Sequence, residues 1–199
     1  MDSQTKNVLE TLNHLKDTLS ALVKHLPSFE IANETALPFG LKPHTRSVSW
    51  IVEQVLVQSL KLNANKLGIS HVAYENLGDT ALHDVELGIG KRTVLVNIKT
   101  HDVDGRKNKN DISAVVKLYR AYAQDPNYDL FYATFGIKFV GRSIQFSQEA
   151  VHCFSPQFLP IYVNPTNDKI QAFYVHEPII RSRKEFLQEL SAKSTSIAL

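Results

Sequence analysis

The stretch His83-Asp84-Val85-Glu86-Leu87-Gly88-Ile89-Gly90-Lys91-Arg92-Thr93-Val94-Leu95-Val96-Asn97-Ile98-Lys99-Thr100 decides how the chain is read. Its first five residues alternate polar and apolar, the period of a half-buried strand. Gly88-Ile89-Gly90-Lys91 supplies turn chemistry, and Thr93 to Lys99 returns as a β-branched run. The spacing predicts a hairpin.

Upstream of this stretch the period is helical. Residues 3–25 place Val8, Leu9, Leu12, Leu15, Leu19 and Leu22 at three- and four-residue steps and stop before Pro27. Residues 26–44 hold Pro27, Pro38, Gly40 and Pro43 and read as a connecting loop. A second helix is expected at about 46–67, with Val48, Ile51, Val52, Val55, Leu56 and Leu62 on one stripe and Gly68 as its stop. Downstream, a polar loop from His101 to Asn110 is expected to lead into a short helix from about Asp111 to Ala123. Three strand candidates follow at 129–140, 158–163 and 170–176. Ser182 and Glu185 form a capping box ahead of Phe186, Leu187 and Leu190, which predicts a last helix. The order αα, ββ, α, βββ, α is that of a mixed α/β fold, a sheet flanked by helices.

At 199 residues the chain is expected to form a single domain spanning 1–199. Lys and Arg number 22 against 20 Asp and Glu, a net charge of only +2. Bulk charge therefore announces no partner, and any basic surface must be local. The single cysteine, Cys153, excludes an internal disulfide and a multi-cysteine zinc site. Its neighbour Phe154 makes it a small buried hydrophobe rather than a nucleophile. Met1 to Lys6 carries no apolar signal region, and no run approaches the roughly 20 apolar residues of a membrane helix. No membrane association and a reduced, cytoplasmic setting are expected.

Several motifs fail on spacing. Gly88-x-Gly90-Lys91 lacks the length of a phosphate-binding loop, and a hairpin turn accounts for it. Asp102-x-Asp104-Gly105 has too few carboxylates for a calcium loop. What survives is Asp84…Asn97-x-Lys99, spread over the two arms of the hairpin. Residues two apart on a strand share a face, so Asn97 and Lys99 point the same way and Asp84 can face them. A hard divalent cation takes oxygen ligands, which Asp84 and the Asn97 amide could supply. Lys99 beside them could orient a water or neutralise charge in a transition state. Glu53 on the second helix could add a carboxylate. After Lys99, the run Asp104-Gly105-Arg106-Lys107-Asn108-Lys109-Asn110-Asp111 gathers three cations and two asparagines. Arg and Asn are the side chains whose paired donors and acceptors fit base edges in the major groove.

The block Asp84-x12-Asn97-Ile98-Lys99-Thr100, with a preceding helical glutamate, resembles the core of the PD-(D/E)xK nucleases. The similarity extends to type II restriction endonucleases of the EcoRV-like branch. It covers roughly residues 46–190 and includes the strand pair Leu130–Val140 and the ending Glu177 to Phe186. This resemblance implies a restriction-endonuclease-like mixed sheet flanked by helices. It also implies a homodimer cutting double-stranded DNA at a short palindrome with Mg2+. Asp84, Asn97 and Glu53 would then hold the metal, and Lys99 would assist the attacking water. Arg106, Lys107, Asn108, Lys109 and Asn110 would meet the DNA bases and backbone, and Arg181, Arg183 and Lys184 would hold phosphates. The helix 3–25 is expected to contribute to the dimer contact.

Two positions depart from the family pattern. His83 stands where the signature has proline. Asn97 stands where the family has a second acidic ligand, and an amide brings no negative charge. Either Glu86, two residues from Asp84, compensates, or the position was changed so as to silence cleavage; the second is the expectation. The alternatives to a specific endonuclease are an inactive nuclease fold that only binds DNA and a structure-selective nuclease such as a junction resolvase.

Overall fold

The computed structural model describes residues 1–40, 45–74, 81–105, 109–173 and 176–193. The elements in chain order are α1 (Ser3–Val23), β1 (Phe29–Glu30), α2 (Thr45–Asn63), β2 (Ile69–Ala73), β3 (Val85–Ile89), β4 (Arg92–Asp102) and β5 (Lys109–Ala114). After these come α3 (Val115–Gln124), β6 (Leu130–Val140), β7 (Ser143–Phe154), β8 (Tyr162–Asn164), β9 (Lys169–Phe173) and α4 (Arg183–Lys193). The fold is mixed α/β.

The hairpin forms as the alternation requires. β3 and β4 pair antiparallel from Val85↔Val96 to Ile89↔Arg92. Gly90 and Lys91 make the two-residue turn, with Gly90 at φ +61°, a conformation open to glycine without strain. The hairpin lies within a six-stranded sheet of order β1-β7-β6-β4-β3-β2. Its one parallel pair is β4 with β6, running from Leu95↔Leu130 to Asp102↔Ile137. Parallel neighbours need a crossover connection, and β5 with α3 provides it. A second sheet of order β5-β9-β8 stands apart from the first.

Each face of the large sheet covers its own core. Val94, Val96 and Ile98 of β4 join one cluster with Leu15, Leu19 and Leu22 of α1 and Val52, Leu56 and Leu60 of α2. Leu130 and Tyr132 of β6 join the other with Leu118 and Tyr122 of α3, Ile112, Ile170 and Ala172 of the small sheet, and Phe186 and Leu190 of α4. Leu95 packs on this second cluster, and Asn97 and Lys99 follow it at two-residue steps. The apolar face of β4 thus turns polar where the site begins.

Four expectations need correction. Residues 109–114 are strand, paired from Lys109↔Phe173 to Ala114↔Lys169, and the helix starts only at Val115. β7 was not foreseen. Its register against β6 shifts between Phe135 and Ile137, and the polar run Ser147-Gln148-Glu149 falls in the irregular stretch of β7 facing that shift, which erases the alternation. β2 also escaped notice, being five residues at the sheet edge. Finally, Leu15, Leu19 and Leu22 of the α1 stripe are buried in the chain's own core, and Leu9 and Leu12 are half-buried against it, so most of the stripe covers the chain's own sheet.

No helix among the described residues is long and apolar enough to cross a membrane.

Candidate active site

Asp84 is the residue that docks onto the strand β4. Its N–H donates to the Val96 carbonyl at 2.9 Å, and its Oδ2 accepts from the Ile98 N–H at 2.6 Å. One step back from the Val85↔Val96 pair, Asp84 lies opposite Asn97. The Asn97 side chain is buried. Its Nδ2 donates to the Leu82 carbonyl at 2.9 Å, which fixes the amide's orientation. Its Oδ1 is buried and makes no hydrogen bond. A buried acceptor without a donor costs on the order of 1–3 kcal/mol, so the position favours an electropositive ligand.

Lys99 and Glu53 complete the group electrostatically. Burial lowers the Lys99 ammonium below its usual value, against the pull of Asp84 and Glu53. Burial raises Glu53 to about 7, with the Asp84 charge adding to the rise and Lys99 opposing it. Burial also raises Asp84, opposed by Lys99 and by the Ile98 N–H. Glu53 and Lys99 thus each feel the other two groups, while Asp84 is set by burial, Lys99, the Ile98 N–H and His83. Two acids and one amine share a half-dry site in which their charged forms are costly until something compensates them.

The donor set is oxygen throughout, the chemistry of a hard divalent cation. Among the described residues no three His, Cys, Asp or Glu side chains gather to hold a metal by themselves. The set therefore fits Mg2+ in kind, with two carboxylates and the orphaned amide oxygen of Asn97, and falls one charge short of three acidic ligands. Glu86 does not stand idle: its Oε1 lies 3.1 Å from His83 Nε2.

Three further residues belong to the surroundings, and none was legible from the sequence. The parallel pairing sets Tyr132 beside Asn97 and Thr134 beside Lys99. Tyr132 bonds Ser113 through its hydroxyl at 2.6 Å. Lys169, at the start of β9, carries a charge that opposes that of Lys99.

The expected DNA contacts separate. Arg106, Lys107 and Asn108 lie outside the described residues. Lys109 and Asn110 lie on β5, with the Lys109 Nζ 5.4 Å over the Phe173 ring. The expected phosphate contacts Arg181 and Arg183 have another task. Arg181 is buried and donates to the Gln157 and Leu159 carbonyls and to the Glu189 carboxylate. Arg183 donates to the Tyr122, Asp125 and Tyr128 carbonyls and to Asp129. Both guanidiniums tie α4 to the body of the fold, and Lys184 alone of the three remains exposed. The capping box forms as read: the Ser182 N–H and hydroxyl both donate to Glu185, each at 2.7 Å.

Cys153 is half-buried against the first core, its thiol pushed up to about 12 by burial. No known family model matches the chain, and no curated protein matches it.

Proposed function

We propose that the chain is a Mg2+-dependent, site-specific endonuclease of double-stranded DNA, built on a PD-(D/E)xK-like site and weakened by Asn97. The observation that carries this reading is the buried Asn97 amide oxygen, which no donor satisfies, opposite Asp84, with the charge of Lys99 acting on both Asp84 and Glu53. Two acids and a lysine in a half-dry site are groups that suit metal-assisted phosphodiester hydrolysis. Asp84, Glu53 and Asn97 would hold the metal. When bound, Mg2+ would neutralise charge on the scissile phosphate and acidify a water. Lys99 would orient that water and stabilise the negative charge that builds on the phosphate. Cutting both strands needs two such clusters, so the working form would be a two-fold homodimer on a palindrome.

A second reading, an inactive nuclease fold that binds DNA, is favoured by the missing third acidic ligand. Incubating the protein and its Asn97→Asp variant with a mixed-sequence plasmid and Mg2+ separates the two. Discrete fragments with common ends from the variant support the endonuclease. An intact plasmid with both proteins, under conditions where both bind DNA, favours the binding protein.

A further inference from the structure

The outer face of the small sheet carries an exposed ring cluster that the cleavage site does not use. Inward, Ile112, Ile170 and Ala172 are buried in the second core. Outward, the paired positions Lys109↔Phe173 and Tyr162↔Gln171 bring aromatic and polar side chains together. Phe173 and His176 stack with centroids 5.0 Å apart and planes at 10°. Tyr162 stands edge-on to both, at 5.3 and 5.7 Å. Lys109 Nζ lies 5.4 Å over the Phe173 ring. Tyr162 nevertheless leaves 47% of its surface in water, and His176 is exposed. A cluster that served only to hold the sheet together would bury its outer rings. Here Tyr162 and His176 stay open to solvent and Phe173 is half-buried with the Lys109 ammonium over it, while Asp111 on the same face is held by Asn164, Asn167 and Gln171.

We propose that Tyr162, Phe173 and His176, flanked by Lys109 and Lys169, form a stacking platform for an unpaired nucleobase of the bound DNA. The inference rests on the endonuclease reading and adds a subsite to it. Stacked rings take a base by its face, and the face of a paired base is covered by its neighbours, so the platform selects a base outside the duplex stack. The two lysines supply the charge that tracks the phosphate backbone on either side of such a base.

The test uses two duplexes of one sequence in Ca2+, one with 2-aminopurine paired to thymine and one with it as a single-nucleotide bulge. The protein is expected to bind the bulged duplex about tenfold more tightly, with the probe's fluorescence quenched by stacking. Tyr162→Ala should bring the two affinities to parity, and Tyr162→Phe, which keeps the ring, should retain the preference. Equal affinities in the unaltered protein, or a preference that survives Tyr162→Ala, would overturn the platform; a platform that serves a peptide would give this result. Failure to bind either duplex would instead overturn the endonuclease reading and the platform with it.

Discussion

Asn97 holds its place by donating to the Leu82 carbonyl, and only its oxygen is left for a ligand. An aspartate there would add a full negative charge beside the cation. Unit charges about 4 Å apart attract by roughly 4 kcal/mol at an effective dielectric of 20. Even part of that suffices for the expected gain of Asn97→Asp, at least about 100-fold in plasmid cleavage, or roughly 2.7 kcal/mol of barrier. Asn97→Ala should gain nothing. Robust cleavage by the unaltered chain, abolished by Glu86→Gln, would hand the ligand role to Glu86. Lys99→Ala in the Asn97→Asp background should cost roughly 100-fold in turnover with binding kept; near-normal turnover would remove Lys99 from the mechanism. Glu53 yields a prediction on stability. Its folded-state value of about 7 exceeds the ordinary 4.5, so the folded protein retains a proton that the unfolded chain releases. Metal-free stability should therefore fall as pH rises from about 4.5 to 7, and the penalty persists above 7. Because Glu53 is only half-buried, Glu53→Gln is expected to recover about 1 kcal/mol at pH 8 after solvent screening is allowed for, and nearly nothing at pH 4. Thermal melts without metal at the two pH values check this. An equal shift at both would refute the charge origin.

At the scale of elements, the C-terminal helix is anchored from its N-terminal end. Arg181 satisfies two carbonyls around the 3-10 turn at Pro156–Phe158 and one carboxylate of α4. Removing a buried charged partner strands the others, at a cost of about 3 kcal/mol or more. Arg181→Ala should therefore lower the melting temperature by about 6–12 °C for a domain of this size, with the salt dependence of DNA binding unchanged. A reduced salt slope in a stable variant would return Arg181 to the phosphate contacts. β5 offers the complementary case. Lys109→Ala should weaken binding to all sequences alike and lower the salt slope by about one unit. Asn110 lies opposite the buried Ala172 and its own Nδ2 is buried, so Asn110→Ala should leave base preference unchanged. A preference relaxed at one base position would return Asn110 to base reading.

For the whole molecule, α1 is part of the fold's body. Asp2 caps it by accepting from the Thr5 N–H at 2.7 Å, and its leucines fill the core beneath the large sheet. A chain starting near Pro27 should lose cooperative unfolding rather than merely dissociate, since deleting α1 exposes that core. Sedimentation of the full chain on a palindromic duplex in Ca2+ should give two protomers per DNA. One protomer per DNA at saturation would sink the dimeric arrangement.

The residues by themselves determined the β3–β4 hairpin, the helices α1 and α2, the capping box of α4 and the placing of Asp84, Asn97 and Lys99 on one face. All of these follow from period, turn chemistry and near-neighbour spacing, which act within about twenty residues. Tertiary structure decided the rest. Lys109 to Ala114 reads as a loop passing into a helix until β9, some sixty residues on, offers it a ladder. Tyr132 and Thr134 reach the site only through the parallel pairing of β4 with β6, whose register no local pattern encodes. Arg181 and Arg183 look like solvated cations in sequence and become internal braces because distant carbonyls converge on them. The coupling of Glu53 to Asp84 and Lys99 likewise exists only once burial has removed the water that would screen them, and burial is a property of the assembled fold.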